Sequence, residues 1–218
     1  MKITASIFDL DGVIVDTARY HYMAWRRLAR ELGFDFSPEH NERLKGVSRM
    51  KSLEILLEVG GITLSKDEKE EAAQRKNAWY IDYISVLTPD DILPGVLDFI
   101  HDIDKNGIKK AIGSASRNAE IILKRLQIES LFDVLIDGNR ITKAKPDPEI
   151  FLLAAKELRT DPEECVVFED AQAGIQAAKN GGMYAVGVGD PAFLGEADLV
   201  IQGLSGLSWD QVLNKLNH

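Results

Sequence analysis

The chain has 218 residues, 45% of them hydrophobic and 28% charged, with a formal net charge of -9 at pH 7. That composition suits one large or two modest globular domains and excludes a disordered or fibrous chain. The negative field argues against nonspecific nucleic-acid or anionic-membrane binding, so an anionic ligand would need cations placed locally.

In chain order, the first apolar run (residues 3–8) follows Met1-Lys2 directly and lacks the length and cleavage site of a signal peptide, so no export is expected. It ends at Asp9-Leu10-Asp11-Gly12, where Gly12 lets the backbone turn sharply. From about Thr17 to Val86 the pattern is nearly all helical. Tyr22, Trp25, Leu28, Ala29 and Leu32 recur at three- and four-residue spacing, and residues 68–76 form a charged stretch suited to a solvated helix face. Thr88-Pro89 and Leu93-Pro94-Gly95 punctuate the return and are hinge candidates.

A helix carrying Val96, Phe99, Ile100 and Ile103 closes at Gly107, and a second apolar run (110–113) leads to Ser114-Ala115-Ser116. Arg117 and Asn118 then open a helical pattern of Ile121, Ile122 and Leu126. A third run (134–136) precedes Ala144-Lys145-Pro146-Asp147-Pro148, in which Pro146 pushes Lys145 toward an extended conformation and Asp147 or Pro148 can start a helix. The fourth run (165–168) contains Cys165, the single cysteine, which excludes an intrachain disulfide and a thiolate-rich metal site and reads as a buried thiol in a reducing compartment. It ends at Glu169-Asp170, and two more runs follow at 184–188 and 199–201.

Alternating apolar strands and helices specify an α/β fold with a Rossmann-like three-layer core around a parallel sheet. The helical stretch is an inserted cap, giving a core of residues 1–16 and 88–218 and a cap of residues 17–87. No run approaches the ~20 residues that span a bilayer, so a cytoplasmic protein is expected.

Ligands of open α/β sheets bind beyond the carboxyl ends of the strands, which is where Asp9, Asp11, Ser114, Glu169 and Asp170 fall. Carboxylates gathered there would repel one another by about 4 kcal/mol at ~4 Å and an effective dielectric of 20, so cationic compensation is required. Lys145 is the candidate amine. With four His and one Cys, hard oxygens are the available ligands, which favours Mg²⁺. A hydroxyl and free N–H groups at Ser114, Ser116 and Asn118 suit phosphate oxygens. Each feature alone has a plainer explanation: turn initiation by Asp9-x-Asp11-Gly12, N-capping by Glu169-Asp170, Ser116 or Asn118, a solvated Lys145, packing of His21 with Trp25.

Together, Asp9-Leu10-Asp11-Gly12-Val13, Ser114, Lys145-Pro146 and Glu169-Asp170 resemble the four ordered motifs of the haloacid dehalogenase superfamily. The segment Asp16-Thr17, His21, Trp25, Leu44-Lys45-Gly46-Val47-Ser48-Arg49, Lys76 and residues 114–118 is similar to that of its sugar-phosphate mutases. The resemblance implies Asp9 as nucleophile, Asp11 as general acid/base, and Mg²⁺ held by Asp9, Glu169, Asp170 and the Asp11 carbonyl. Ser114 and Lys145 would hold the transferring phosphate, and Arg49, Ser116, Arg117 and Asn118 a second one, with Gly46, Val47, Trp25 and Ala115 lining the substrate. Thr17, His21 and Lys76 would position Asp11 and close the cap. Ala171 and Arg117 stand where Ser and Lys are expected. The implied function interconverts sugar 1- and 6-phosphates through an aspartyl phosphate and a bisphosphate. The partner would be a small-molecule sugar phosphate, with no nucleic acid or membrane, and the chain a monomer. A Mg²⁺-dependent sugar-phosphate phosphatase and a non-catalytic Mg²⁺- or phosphate-binding module are the alternatives.

Overall fold

All six apolar runs become strands of one parallel sheet: β1 (Ala5–Phe8), β2 (Lys109–Gly113), β3 (Val134–Ile136), β4 (Cys165–Glu169), β5 (Tyr184–Val188) and β6 (Leu199–Ile201). The structure is a computed structural model that describes residues 2–44 and 46–217, so Lys45 lies outside the described residues. Strand order is β3-β2-β1-β4-β5-β6. The chain therefore winds outward from β1 and then restarts beside it with β4, and this reversal is where an open sheet leaves a crevice for a ligand.

Between β1 and β2 the chain builds an inserted helical cap of α1 (Ala18–Glu31), α2 (Pro38–Glu42), α3 (Arg49–Gly60) and α4 (Lys66–Ile84). Its start and stop signals are local. Ser65 and Glu68 form a reciprocal capping box at the head of α4, and α3 ends on Gly61, whose φ of 63° is the left-handed geometry glycine adopts cheaply. Trp25, Leu28, Phe36, Leu53, Leu56, Ala72 and Ala73 bury themselves in a core belonging to these helices. Elsewhere on the same two helices, Ala24, Tyr80 and Ile84 join the core beneath the sheet. α1 and α4 thus have one apolar face in each core.

The remaining helices are α5 (Val96–Lys105), α6 (Ala119–Arg125), α7 (Glu149–Leu158), α8 (Gln172–Asn180), α9 (Pro191–Leu194) and α10 (Trp209–Leu216). Side chains alternate across each strand, and both faces are buried. Phe8, Val166 and Phe168 face α5, α6 and α10, whereas Ile7, Cys165 and Val167 face α7 and α8. Phe8 stacks on Phe168 with ring centroids 4.8 Å apart, and Phe99 meets both edge-on. Each such pair adds about 0.5–1.5 kcal/mol beyond its buried area and anchors β1 to β4, the two strands flanking the crevice. Gly107, with φ of 68°, lies just past the end of α5. No described helix is long and apolar enough to cross a membrane.

Candidate active site

Strand register assembles the acidic side of the site. Phe8 is paired with Phe168 on one side and Ile112 on the other, so the next residues, Asp9, Glu169 and Gly113, come level at the carboxyl edge. The Asp9 N–H donates to the Phe168 carbonyl at 2.9 Å. Gly12 has φ of 78°, and a Cβ there would lie 2.2 Å from Asp170 Oδ2. Gly174 on α8 is as tightly placed, with a Cβ falling 2.0 Å from the carboxyl carbon of Glu169. Two glycines therefore make room for two carboxylates.

Lys145 reaches this cluster from the loop after β3, through a cis Lys145–Pro146 peptide. Its Nζ donates to Asp9 Oδ1 at 2.5 Å and to Glu169 Oε2 at 2.8 Å, and it lies 4.8 Å from the centroid of the Phe151 ring. Burial pulls the Lys145 pKa down, but the charges of Asp9 and Glu169 outweigh it and hold the amine above its ordinary range. Burial pushes Glu169 up to about 8, with Asp9 and Asp170 adding to the effect and Lys145 opposing it. Asp9, Glu169 and Asp170 each offer an oxygen within 4.8 Å of the others. Glu169 Oε1 also accepts the Ala171 N–H, at 3.1 Å.

Replacing Gly174 with Ala should drive the Glu169 carboxylate out of its place. We expect a loss of about 1–3 kcal/mol in stability and at least a tenfold weaker thermal stabilisation by Mg²⁺. Thermal melts across a Mg²⁺ titration measure both.

The Asp11 carboxylate turns away from this cluster and accepts the Thr17 hydroxyl proton. Burial raises its pKa to about 8, helped by the charges of Asp9 and Asp16. Beside it His21 stacks on the Tyr80 ring with centroids 3.9 Å apart, and its Nδ1 lies 2.8 Å from Lys76 Nζ. Burial, then the Lys76 and Arg49 charges, hold His21 well below its usual pKa, so the neutral ring accepts a proton from the lysine. Lys76 is itself depressed by burial and by Arg49, and is flanked by the faces of Trp25 and Tyr80.

These groups border a cavity of about 570 Å³ between the sheet edge and the cap. From the sheet edge come Asp9, Asp11, Ser114, Ala115, Ser116, Arg117, Asn118, Glu169 and Asp170. From the cap come His21, Trp25, Gly46, Val47, Arg49 and Lys76. Thr17 and Lys145 do not reach the wall: both are buried behind it, one against Asp11 and one against Asp9. Arg49 and Arg117 are close enough that the charge of Arg117 adds to burial in lowering the Arg49 pKa. Asn118 sits at the N-cap position of α6 without capping it, and donates instead to Asn77 Oδ1 on α4, at 2.9 Å.

Sequence reasoning missed Asn41, Gln74, Thr142 and Lys143 in the cavity wall, and Asn77 and Tyr80 behind it. Tyr80 had a signal, its position one helical turn beyond Lys76. The polar residues in the wall carried none that separates them from solvated surface.

The model of haloacid dehalogenase-like hydrolases matches residues 3–182. The β-phosphoglucomutase of Bacillus subtilis is 47% identical over 206 residues, covering 94% of this chain and 91% of that protein. A phosphorylated carbohydrates phosphatase of Thermotoga maritima is 34% identical and covers 97% of each. The crystal structure of β-phosphoglucomutase from Clostridium difficile superposes with a TM-score of 0.95 at 45% identity, covering 99% of this chain and 97% of that one. With the motif residues gathered at the reversal of the sheet and the match spanning most of its length, the chain belongs to the haloacid dehalogenase-like hydrolase family.

Proposed function

We propose that this protein is a Mg²⁺-dependent β-phosphoglucomutase, interconverting β-D-glucose 1-phosphate and glucose 6-phosphate through an aspartyl phosphate and glucose 1,6-bisphosphate. The observation that carries the reading is one cavity bordered both by Asp9 and Glu169, which Lys145 bridges from behind, and by two guanidinium groups, Arg49 and Arg117. A hydrolase of monophosphates needs only the first; a mutase handling a bisphosphate needs both.

The donor set fits Mg²⁺. Three carboxylates against one ammonium leave two negative charges over when all are ionised, the ligands are hard oxygens, and Gly12 and Gly174 leave the space they occupy. Asp9, Glu169 and Asp170 would hold the ion, which would neutralise phosphate charge.

In the forward half-reaction the Asp9 carboxylate attacks phosphorus in line, and the bond from phosphorus to the sugar oxygen breaks. The proton on Asp11 passes to that oxygen; with a pKa of about 8 the carboxyl carries this proton at neutral pH. Lys145 and Ser114 hold the transferring group, while Arg49, Ser116, Arg117 and Asn118 hold the other phosphate, the guanidinium groups bidentately. The sugar monophosphate then presents its other hydroxyl, Asp11 takes back a proton, and the phosphoryl group leaves Asp9 for the sugar. Closure of residues 17–87 excludes water meanwhile, with His21 and Lys76 closing over the sugar.

Incubation with β-D-glucose 1-phosphate, Mg²⁺ and a trace of the bisphosphate should give glucose 6-phosphate at least tenfold faster than free phosphate. Free phosphate as the main product would make the protein a sugar-phosphate phosphatase, the reading favoured by its likeness to the Thermotoga maritima phosphatase. No turnover would leave a binding module.

A further inference from the structure

Tyr80 has no role in the chemistry above and does not border the cavity, yet it is fully buried at the junction of cap and core. Its hydroxyl lies 3.1 Å from Thr17 Oγ1. Thr17 Oγ1 in turn is hydrogen-bonded to Asp11 Oδ1, so a single hydroxyl joins Tyr80 to the acid. Burial, then the Asp11 carboxyl, pushes the phenol well above its usual pKa, so Tyr80 keeps its proton. Hydrogen bonding by Thr17 and Ser116 opposes that shift. Ser116 Oγ in turn accepts the Asn118 N–H at 3.2 Å. One helical turn before Tyr80, Asn77 accepts from the Asn118 side chain and ties the same loop to α4.

The contacts run in series from the loop to the acid: the Asn118 side chain to Asn77 on α4, and from α4 the Tyr80 hydroxyl to Thr17 and Thr17 to Asp11. Hydrogen bonds linked in this way act as a unit. We propose that Tyr80 is a positioning residue linking the Ser116–Asn118 phosphate loop to the Asp11 carboxyl, so that a phosphate held by the loop orients the group that protonates the leaving oxygen. The inference rests on Asp11 acting as proton donor. It supplies a reason for the enzyme to act on a bisphosphate in preference to a smaller ester, because only an occupant of the loop sets the acid in place.

Tyr80→Phe removes one oxygen and keeps the ring that stacks on His21. The test compares two donors to Asp9: a sugar phosphate, whose departing alkoxide needs a proton, and acetyl phosphate, whose departing acetate does not. We expect kcat for the sugar phosphate to fall about 10–100-fold with KM within about threefold, and the loss on acetyl phosphate to be at least tenfold smaller. In a double-mutant cycle with Thr17→Val, the second substitution should add little, since the chain is broken once. Equal losses on both donors, or additive losses in the cycle, would overturn the proposal. If the wild-type protein hydrolyses alkyl phosphates without interconverting them, the mutase reading fails while the same ratio still tests Tyr80. If it cleaves acetyl phosphate but no alkyl phosphate, Asp11 is not an acid and both fall.

Discussion

Replacing Asp9 with Asn should abolish sugar-phosphate turnover, by ~10⁴-fold or more, since loss of a nucleophile leaves only the residual catalysis of binding and electrostatics. The substitution is nearly isosteric and removes one of the charges around Lys145, whose Nζ keeps its 2.8 Å bond to Glu169. The fold should therefore persist with a melting temperature little changed, because the ion pair lost with Lys145 and the relief of repulsion from the neighbouring carboxylates oppose each other. Rapid quench with labelled bisphosphate should trap an alkali-labile, hydroxylamine-sensitive acyl phosphate in the wild-type protein and none in the variant. Full turnover in Asp9→Asn would remove the nucleophile from the scheme and the mutase with it.

Lys145→Met should combine the largest loss of stability with a large loss of activity. The variant leaves Asp9 and Glu169 buried without their shared cation, an arrangement that costs about 3–5 kcal/mol when both are ionised. Turnover should fall ~10³-fold, the scale on which a preorganised charge acts on developing phosphoryl charge. The cost depends on pH with a definite sign. In the wild-type fold Glu169 keeps its proton up to about 8, against an ordinary 4.5 in the unfolded chain. Between those values the native state binds more protons than the unfolded one, so without Mg²⁺ this group's contribution falls as pH rises from 4.5 to 8 and levels off above. The slope is about 1.4 kcal/mol per pH unit for each proton so retained. Removing Lys145 takes away the charge that opposed this shift, so the variant should go on losing stability beyond pH 8. Added Mg²⁺ should restore most of it at pH 8 and little at pH 5, which denaturant titrations at the two values would measure. A variant as stable as wild type at pH 8 without Mg²⁺ would mean that the three carboxylates do not depend on the amine.

The two predictions probe groups that were visible in the sequence because each follows an apolar run. A continuous apolar run ending in a turn needs only neighbouring residues to declare itself, and the runs at 134–136, 184–188 and 199–201 became β3, β5 and β6 without change of bounds. The ladder of β1 starts at Ala5, two residues inside its apolar run, with Ile3 still packed in the core. The first inserted helix was equally legible, since the three- and four-residue spacing over residues 22–32 is set within a few residues.

What the sequence alone determined was therefore the α/β class, the inserted cap and the set of charged residues placed beyond the strands. Tertiary packing decided the rest: that Thr17 and Lys145 lie behind the cavity wall, that Asp11 turns from the carboxylate cluster to Thr17, and that α4 meets Asn118 through Asn77 and Thr17 through Tyr80. The physical reason is the range of the forces involved. Periodicity and capping act over one turn of chain, whereas the contact of Tyr80 with Thr17 spans 63 positions and depends on how α1 and α4 pack through Ala24, Tyr80 and Ile84 in the core against the sheet.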